Sequence, residues 1–145
     1  VQHDVARRTV RIPGAPRFMA VAILCGYVWL FTAAAVLMLG GRPVGGAYDA
    51  VAHAVLLGYV ISMIMAHSTT ILPAVLRIPL PYRPALWVPL ILLQLSLVVR
   101  LALGDALQWV PAWQIGGTLG VAALLLFVLT AVTSAILGPL RSSRT

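Results

Sequence analysis

The sequence predicts an all-α protein, an integral membrane four-helix up-down bundle. Of its 145 residues, 61% are hydrophobic and only 9% are charged, an apolar content at which a water-soluble domain would aggregate. The apolar residues fall into four long stretches, and the segments between these stretches are short. We therefore expect residues 1–145 to form a single transmembrane domain.

The four apolar stretches have the length of membrane-spanning helices. A bilayer core needs about 20 apolar residues per helix, and we place the helices at about 18–39, 50–72, 86–103 and 115–137. Glycine, proline or charged residues bound each stretch. Short connections make consecutive helices antiparallel neighbours, which gives the up-down topology.

The basic residues predict the orientation. The chain has no lysine, so its ten basic residues are all arginines. Eight of these lie on one side of the predicted membrane, at positions 7, 8, 11, 17, 77, 83, 141 and 144, and two on the other, Arg42 and Arg100. Arginine-rich segments stay in the cytoplasm, so we expect both the N and C termini there, in a multi-pass protein of the cell's inner (plasma) membrane. Aromatic residues that suit the two interfaces flank the spans, at Tyr82, Trp87, Trp109 and Trp113.

The composition excludes several classes of function. There is no glutamate, no cysteine pair and no aspartate inside a predicted span, so no constellation for hydrolysis or phosphoryl transfer can be assembled. The chain is not expected to be catalytic by itself. Orientation and anionic lipid headgroups explain the net charge of +7, and no basic stripe predicts a nucleic-acid partner.

Two histidines stand out in the second predicted helix. His53 and His67 are fourteen residues apart, which on an α-helix places them within roughly 40° of one face and about 21 Å apart along the axis. Imidazole is a common axial ligand of haem iron, and this spacing suits a helix that holds two haems in opposite leaflets. The alternative is that both are neutral and hydrogen-bonded within the bundle.

A second axial ligand is not evident from the sequence. The third histidine, His3, lies in the basic N-terminal segment, so a methionine (Met38, Met63 or Met65) or a partner chain would have to supply it. Arg100 lies at a depth similar to that of His53. Its guanidinium could pair with an aspartate, either Asp49 or Asp105, or with a haem propionate, or could simply extend to the membrane surface.

The remaining intramembrane polar and small residues predict packing roles. Gln94 is expected to hydrogen-bond between helices or to bond a histidine, and the first role is favoured. The glycines at 116, 117 and 120 permit close helix approach, within the chain or with another subunit. The hydroxyls of Ser68, Thr69 and Thr70 are expected to satisfy backbone carbonyls before Pro73, or else to line a polar pocket.

The segment from His53 to Pro73, HAVLLGYVISMIMAHSTTILP, resembles the helix of haem-copper oxidase subunit I that carries haem-ligating histidines and ends in an aromatic-proline turn. It is also similar to NnrS-like haem- and copper-binding membrane proteins. In the oxidase helix the low-spin haem ligand stands twenty residues before the closing proline, as His53 does here, so the resemblance implies haem ligation by His53. The high-spin haem histidine would fall at Val51 and no copper ligands are present, which excludes a binuclear oxygen-reducing centre.

These observations support two hypotheses about function. The first is a small haem-b-binding subunit for electron transfer within a larger redox or respiratory complex, with His53 and His67 as iron ligands and Arg100 near the propionates. The second is a cofactor-free structural or assembly subunit of a membrane protein complex. Membrane lipids and either a larger complex or a homo-oligomer are the expected partners. A transporter or channel would need more inward-facing polar groups.

Overall fold

A computed structural model describes residues 11–40, 44–77 and 80–142, without the side chains at 72, 76 and 139–142. Within these residues the chain is helical and has no strand. Of the residues discussed above, some lie outside the described ranges, namely His3, Arg7, Arg8, Arg42 and Arg144, and the side chain of Arg141 is among those left out.

Four long helices, α1 to α4, make up the fold. The first, α1, spans Ala15–Gly40 and the last, α4, spans Val110–Ser142. The two middle helices each change type along their length. In α2, Gly46–His53 is α-helical, Ala54–Ile61 is π-helical and Ser62–Leu76 is α-helical again. In α3, a 3₁₀ turn at Pro84–Leu86 leads into α-helical Trp87–Leu97 and then π-helical Val98–Asp105.

Local sequence explains where these helices begin and end. Proline fits the first turn of a helix, where its missing N–H has no partner to lose, and Pro16, Pro84 and Pro111 occupy such positions. The chain leaves α2 through Arg77 and α3 through Gln108, both in the left-handed conformation with φ 53°. A left-handed residue after the last turn stops the helical hydrogen bonding.

All four helices are long and apolar enough to cross a membrane. This confirms the all-helical fold with four candidate spans, Ala15–Gly40, Gly46–Ile71, Pro84–Asp105 and Val110–Gly138. The spans extend one to five residues beyond the predicted bounds, except that the second ends one residue before the predicted position 72. The prediction stopped at the ends of the apolar stretches, whereas the helices continue through glycines and polar residues that complete their terminal turns.

Contacts between the helices show that they alternate in direction. Along α1 and α2, Gly26 packs against Met63 and Trp29 against Gly58, so the numbers rise in one helix as they fall in the other. Along α2 and α3, Ser62 meets Gln94 and Asp49 meets Arg100. Along α3 and α4, Gly120 approaches Ser96 and Gly116 approaches Arg100. Each helix is therefore antiparallel to the next.

The core is centred on α3, which packs against both α2 and α4. Its fully buried leucines are Leu86, Leu90, Leu93 and Leu97. At one end of the bundle Phe18 packs edge-on against Trp87, whose indole N–H donates to the Tyr82 hydroxyl over 3.0 Å. The opposite end carries Asp49, Arg100 and Trp113, and there the candidate site is found.

The π-helical segment of α2 changes the relation between the two histidines. In a π-helix each N–H bonds the carbonyl five residues back, so each residue turns the chain through less than the roughly 100° of an α-helix. Eight such residues, Ala54–Ile61, lie between His53 and His67. The expectation of a shared face assumed an unbroken α-helix. In the structure His53 lies beside residues of α3 and α4, whereas His67 lines a depression formed by α2 alone.

Candidate functional site

An ion pair between α2 and α3 forms the centre of the candidate site. Arg100 Nη2 donates to Asp49 Oδ2 over 2.7 Å. Arg100 is a buried residue, only 8% exposed, so it does not extend to the membrane surface. Of the partners considered from the sequence, the structure shows Asp49. A buried guanidinium needs such a partner, because an uncompensated charge in an apolar interior is costly.

The first turns of α4 close around the same guanidinium. The Arg100 guanidinium carbon lies 4.3 Å from the centroid of the Trp113 ring, a cation–π contact, and Nη1 donates to the Trp113 carbonyl over 3.4 Å. Only glycine fits at position 116, because a Cβ there would lie 2.7 Å from the Arg100 backbone nitrogen. The predicted close approach of the glycines is therefore made within the chain, between α4 and α3.

Arg100 has unused donors, one of which is buried. Its Nε atom is buried and has no hydrogen-bond partner among the described residues. A guanidinium has five N–H donors. One on Nη2 bonds Asp49 and one on Nη1 bonds the Trp113 carbonyl. The arginine can therefore accept a further anionic partner from a bound molecule without giving up its ion pair.

The second group held by Asp49 is His53, one helical turn later. Its ring nitrogen Nδ1 lies 2.9 Å from the Asp49 carbonyl oxygen and 3.3 Å from Oδ1 of the Asp49 carboxylate. A carbonyl oxygen can only accept, so Nδ1 must carry the proton and donate. In the neutral ring this leaves the lone pair on Nε2, and no partner for Nε2 occurs in the described part of the chain. This is the arrangement by which proteins orient a metal-ligating histidine.

His53 and Arg100 share a large cleft. The cleft runs between α2 and α4 with α3 as its floor. Its volume of about 1090 Å³ is slightly above the range of roughly 300–1,000 Å³ typical of ligand pockets. Its polar end holds His53, Arg100 and Trp113, the face of α4 supplies three glycines, and the remainder is largely apolar. The cleft can accept a large, flat, mostly apolar molecule with an anionic edge.

A model of the family described as a domain of unknown function, DUF8744, matches residues 1–136. The chain belongs to this family. No curated protein and no solved structure matches it.

The other predicted ligand, His67, lies in a different place. Its Nδ1 donates to the Met63 carbonyl over 2.9 Å, so its Nε2 also keeps the lone pair. The depression that it lines is formed by α2 alone, and includes Tyr59 and Met63, the residues that pack at Gly26 of α1. The structure therefore brings His53 and Arg100 together and leaves His67 apart.

The mid-bundle polar residues hold the helices together. Trp29 Nε1 donates to Gln94 Oε1 over 2.6 Å, and Gln94 Nε2 donates to Ser62 Oγ over 3.1 Å, so one amide joins α1, α2 and α3. This confirms the interhelical role favoured for Gln94. The hydroxyls of Ser68 and Thr70 donate to the carbonyls of Met65 and His67, which is the backbone-satisfying role expected for them. The buried hydroxyl of Thr69 does not take this role, because it has no hydrogen-bond partner among the described residues.

Asp49 has a larger part in the candidate site than the sequence predicted. It was considered only as one possible partner of Arg100, although its spacing of four residues from His53 places both on one helix face and could have identified it as the histidine's orienting group. No sequence signal pointed to the stacking of Trp113 on Arg100, because that contact depends on how α4 enters the bundle.

The donor set limits which metals fit. Among the described residues, no three or more His, Cys, Asp or Glu side chains come together as they would to hold a bare ion. Haem iron needs only axial ligands from the protein, because the porphyrin supplies the other four. A single oriented imidazole beside a large cleft thus suits haem better than an isolated cation.

Proposed function

We propose that this chain binds haem b in the cleft between α2 and α4, with His53 Nε2 as an axial iron ligand. In this role it acts as a small electron-transfer subunit of a larger redox or respiratory membrane complex. The observation that carries the proposal is the oriented imidazole of His53. Asp49 accepts a hydrogen bond from its Nδ1–H, its Nε2 is free, and His53 lines a cleft of about 1090 Å³.

The cleft also suits the rest of a haem. Arg100 is on the same wall and has a spare buried donor at Nε, which a propionate would accept in a charge-assisted hydrogen bond. The apolar side chains of Val121, Leu124 and Leu125 on α4 also line the cleft and suit the apolar face of the flat ring. In this proposal Asp49 orients the histidine and neutralises part of the arginine charge.

The sixth coordination position is assigned to a partner. No methionine or second histidine lines the cleft in the described part of the chain. Met65 is fully buried in the core and Met38 is 85% exposed, and Met63 packs at α1. A partner chain, either another subunit or a second copy, would therefore supply the second ligand. His67, with its own free Nε2, is proposed as the ligand of a second haem, nearer the opposite membrane surface.

We further propose a plasma-membrane location with both termini cytoplasmic. The arginine distribution supports this orientation. The aromatic pair Tyr82 and Trp87 at one end of the bundle and Trp113 at the other have the positions expected of interfacial belts. Lipids contact the many exposed apolar side chains, such as Phe31 at 73% and Val28 at 62% exposure.

The test is a reduced-minus-oxidised absorbance spectrum of the full chain purified with its membrane partners. We expect a b-type α band, strongly reduced in His53→Ala and partly restored by added imidazole. His67→Ala should remove only the part of the band that belongs to the second haem. The control variant is Thr118→Ala, which changes another residue of the cleft and should retain the whole band. A flat spectrum for the intact, partnered protein would reject the haem proposal.

The rival function is a cofactor-free structural or assembly subunit. The observation that favours it is that Arg100, Asp49 and His53 already bond one another, so the network stabilises the bundle without any ligand. If the spectrum is flat while His53→Ala lowers the yield of the assembled complex, this second function is the correct one.

A further inference from the structure

A second cavity lies on the other side of α2, between α1, α2 and α3. Its volume is about 540 Å³, within the range typical of small-molecule pockets. Alanines form much of the wall: Ala33 on α1, Ala50 and Ala54 on α2, Ala102 on α3, and Ala106 directly after α3. The cavity is separate from the cleft of His53, and the two have no lining residue in common.

The polar end of this cavity holds a carboxylate with an unused oxygen. Asp105 lines the cavity, and its Oδ2 atom is buried without a hydrogen-bond partner in the described part of the chain. The neighbouring Gln108 side chain donates to the Asp105 backbone carbonyl rather than to the carboxylate. A buried, unpartnered carboxylate oxygen is costly, and a cation placed beside it would relieve that cost.

Arg100 makes no hydrogen bond to the Asp105 carboxylate. The hydrogen bonds of Arg100 go to Asp49 and to the Trp113 carbonyl. Asp49 therefore has a counter-ion in Arg100, whereas Asp105 forms no ion pair with any residue that the structure describes. The other polar groups on the cavity wall are already occupied, since Trp29 Nε1 bonds Gln94 and the Thr32 hydroxyl bonds the Val28 carbonyl.

We propose that this cavity binds an amphipathic organic cation, an alkylammonium compound. Its ammonium head pairs with Asp105, and its apolar body extends along the alanine walls toward Trp29. The charge of Asp105 selects a cation over an anion, and the apolar walls select an alkyl body over a hydrated metal ion, which would keep its water shell. The indole ring of Trp29 gives the body a flat surface to pack against.

The charge and the cavity make separable contributions to binding. Replacing the carboxylate by an amide removes the ion pair and leaves the space, whereas a larger side chain at Ala102 fills the space and leaves the charge. Ala102 is itself an exposed residue, so a leucine there can be accommodated without disturbing the core. A leucine at Ala35, exposed on α1 and away from the cavity, is the matched control.

The experiment measures equilibrium binding of radiolabelled hexyltrimethylammonium to the full chain in lipid nanodiscs, with empty nanodiscs subtracted. We expect one saturable site per chain, affinity at least tenfold weaker in Asp105→Asn and in Ala102→Leu, and no change in Ala35→Leu. Competition by 2,2-dimethyloctane, the uncharged isostere in which carbon replaces the nitrogen, should be at least tenfold weaker than by the unlabelled cation.

Three results would overturn the proposal: no saturable binding above empty nanodiscs, equal binding by Asp105→Asn, or equal competition by the isostere, which would identify the cavity as a site for neutral acyl chains. If Asp105→Asn does not fold, as judged by circular dichroism and gel filtration, the isostere and Ala102→Leu comparisons still decide. The result is independent of haem, because none of these residues lines the cleft of His53.

Discussion

Arg100 on α3 donates to Asp49 on α2 over 2.7 Å, and the two partners differ sharply in exposure: the arginine side chain is 9% exposed and the aspartate side chain 34%. The pair joins positions 51 residues apart. Because the cost of an unpaired charge depends on its burial, removing one partner should not be equivalent to removing the other.

Asp49→Asn should therefore destabilise the bundle more than Arg100→Met. The first change leaves a buried guanidinium without a counter-ion, a loss of roughly 3–5 kcal/mol. The second leaves a half-buried carboxylate that can reach the polar end of the bundle. Denaturant unfolding in detergent, followed by circular dichroism, measures both, and the double variant should be more stable than Asp49→Asn alone. Equal losses for the two single variants would contradict this account.

The glycines of α4 should differ in their tolerance of alanine. A Cβ at Gly116 would lie 2.7 Å from the Arg100 backbone nitrogen, which cannot move aside, whereas one at Gly120 would lie 3.4 Å from Ser96 Oγ. We expect Gly116→Ala to cost about 1–3 kcal/mol as overpacking and Gly120→Ala to be close to neutral, with helix propensity offsetting a tight contact. The same unfolding assay compares them.

The Gln94 bridge should show measurable coupling between α1 and α3. Its carbonyl accepts from the Trp29 indole over 2.6 Å, and polar pairs inside membrane proteins couple by about 0.6 kcal/mol on average and up to about 1.7. A double-mutant cycle of Trp29→Phe and Gln94→Leu should give a coupling in the upper part of that range. Ser62→Ala removes the other arm of the bridge and should couple with Gln94→Leu as well. Additive losses would show that the amide does not hold the helices together.

Much of the fold was predictable because apolar length and short connections determine a helical bundle whatever the details of packing. The pairing of Arg100 and the interhelical role of Gln94 could also be anticipated, since a polar group in an apolar stretch must find a partner. The change of helix face between His53 and His67 could not. It depends on the π-helical segment Ala54–Ile61, where each N–H bonds a carbonyl one residue further back than in an α-helix. This shift rotates the later residues of α2 about the helix axis, and no residue pattern in the segment predicts it.

The structure also sharpens the prediction of orientation. Arg100 was counted among the charges on the non-cytoplasmic side, but its charge is paired with Asp49 and buried. Only Arg42 then remains to oppose the eight arginines on the other side, so the positive-inside bias is stronger than the bare count suggested. We expect a fluorescent protein fused after Thr145 to fluoresce, and an alkaline phosphatase that needs the oxidising exterior to be active when inserted after Gly45 and inactive when inserted after Arg77. Arg100→Met should leave this pattern unchanged, because loss of a charge from the side with few arginines cannot weaken the bias. An active phosphatase after Arg77, or an inactive one after Gly45, would contradict the proposed orientation.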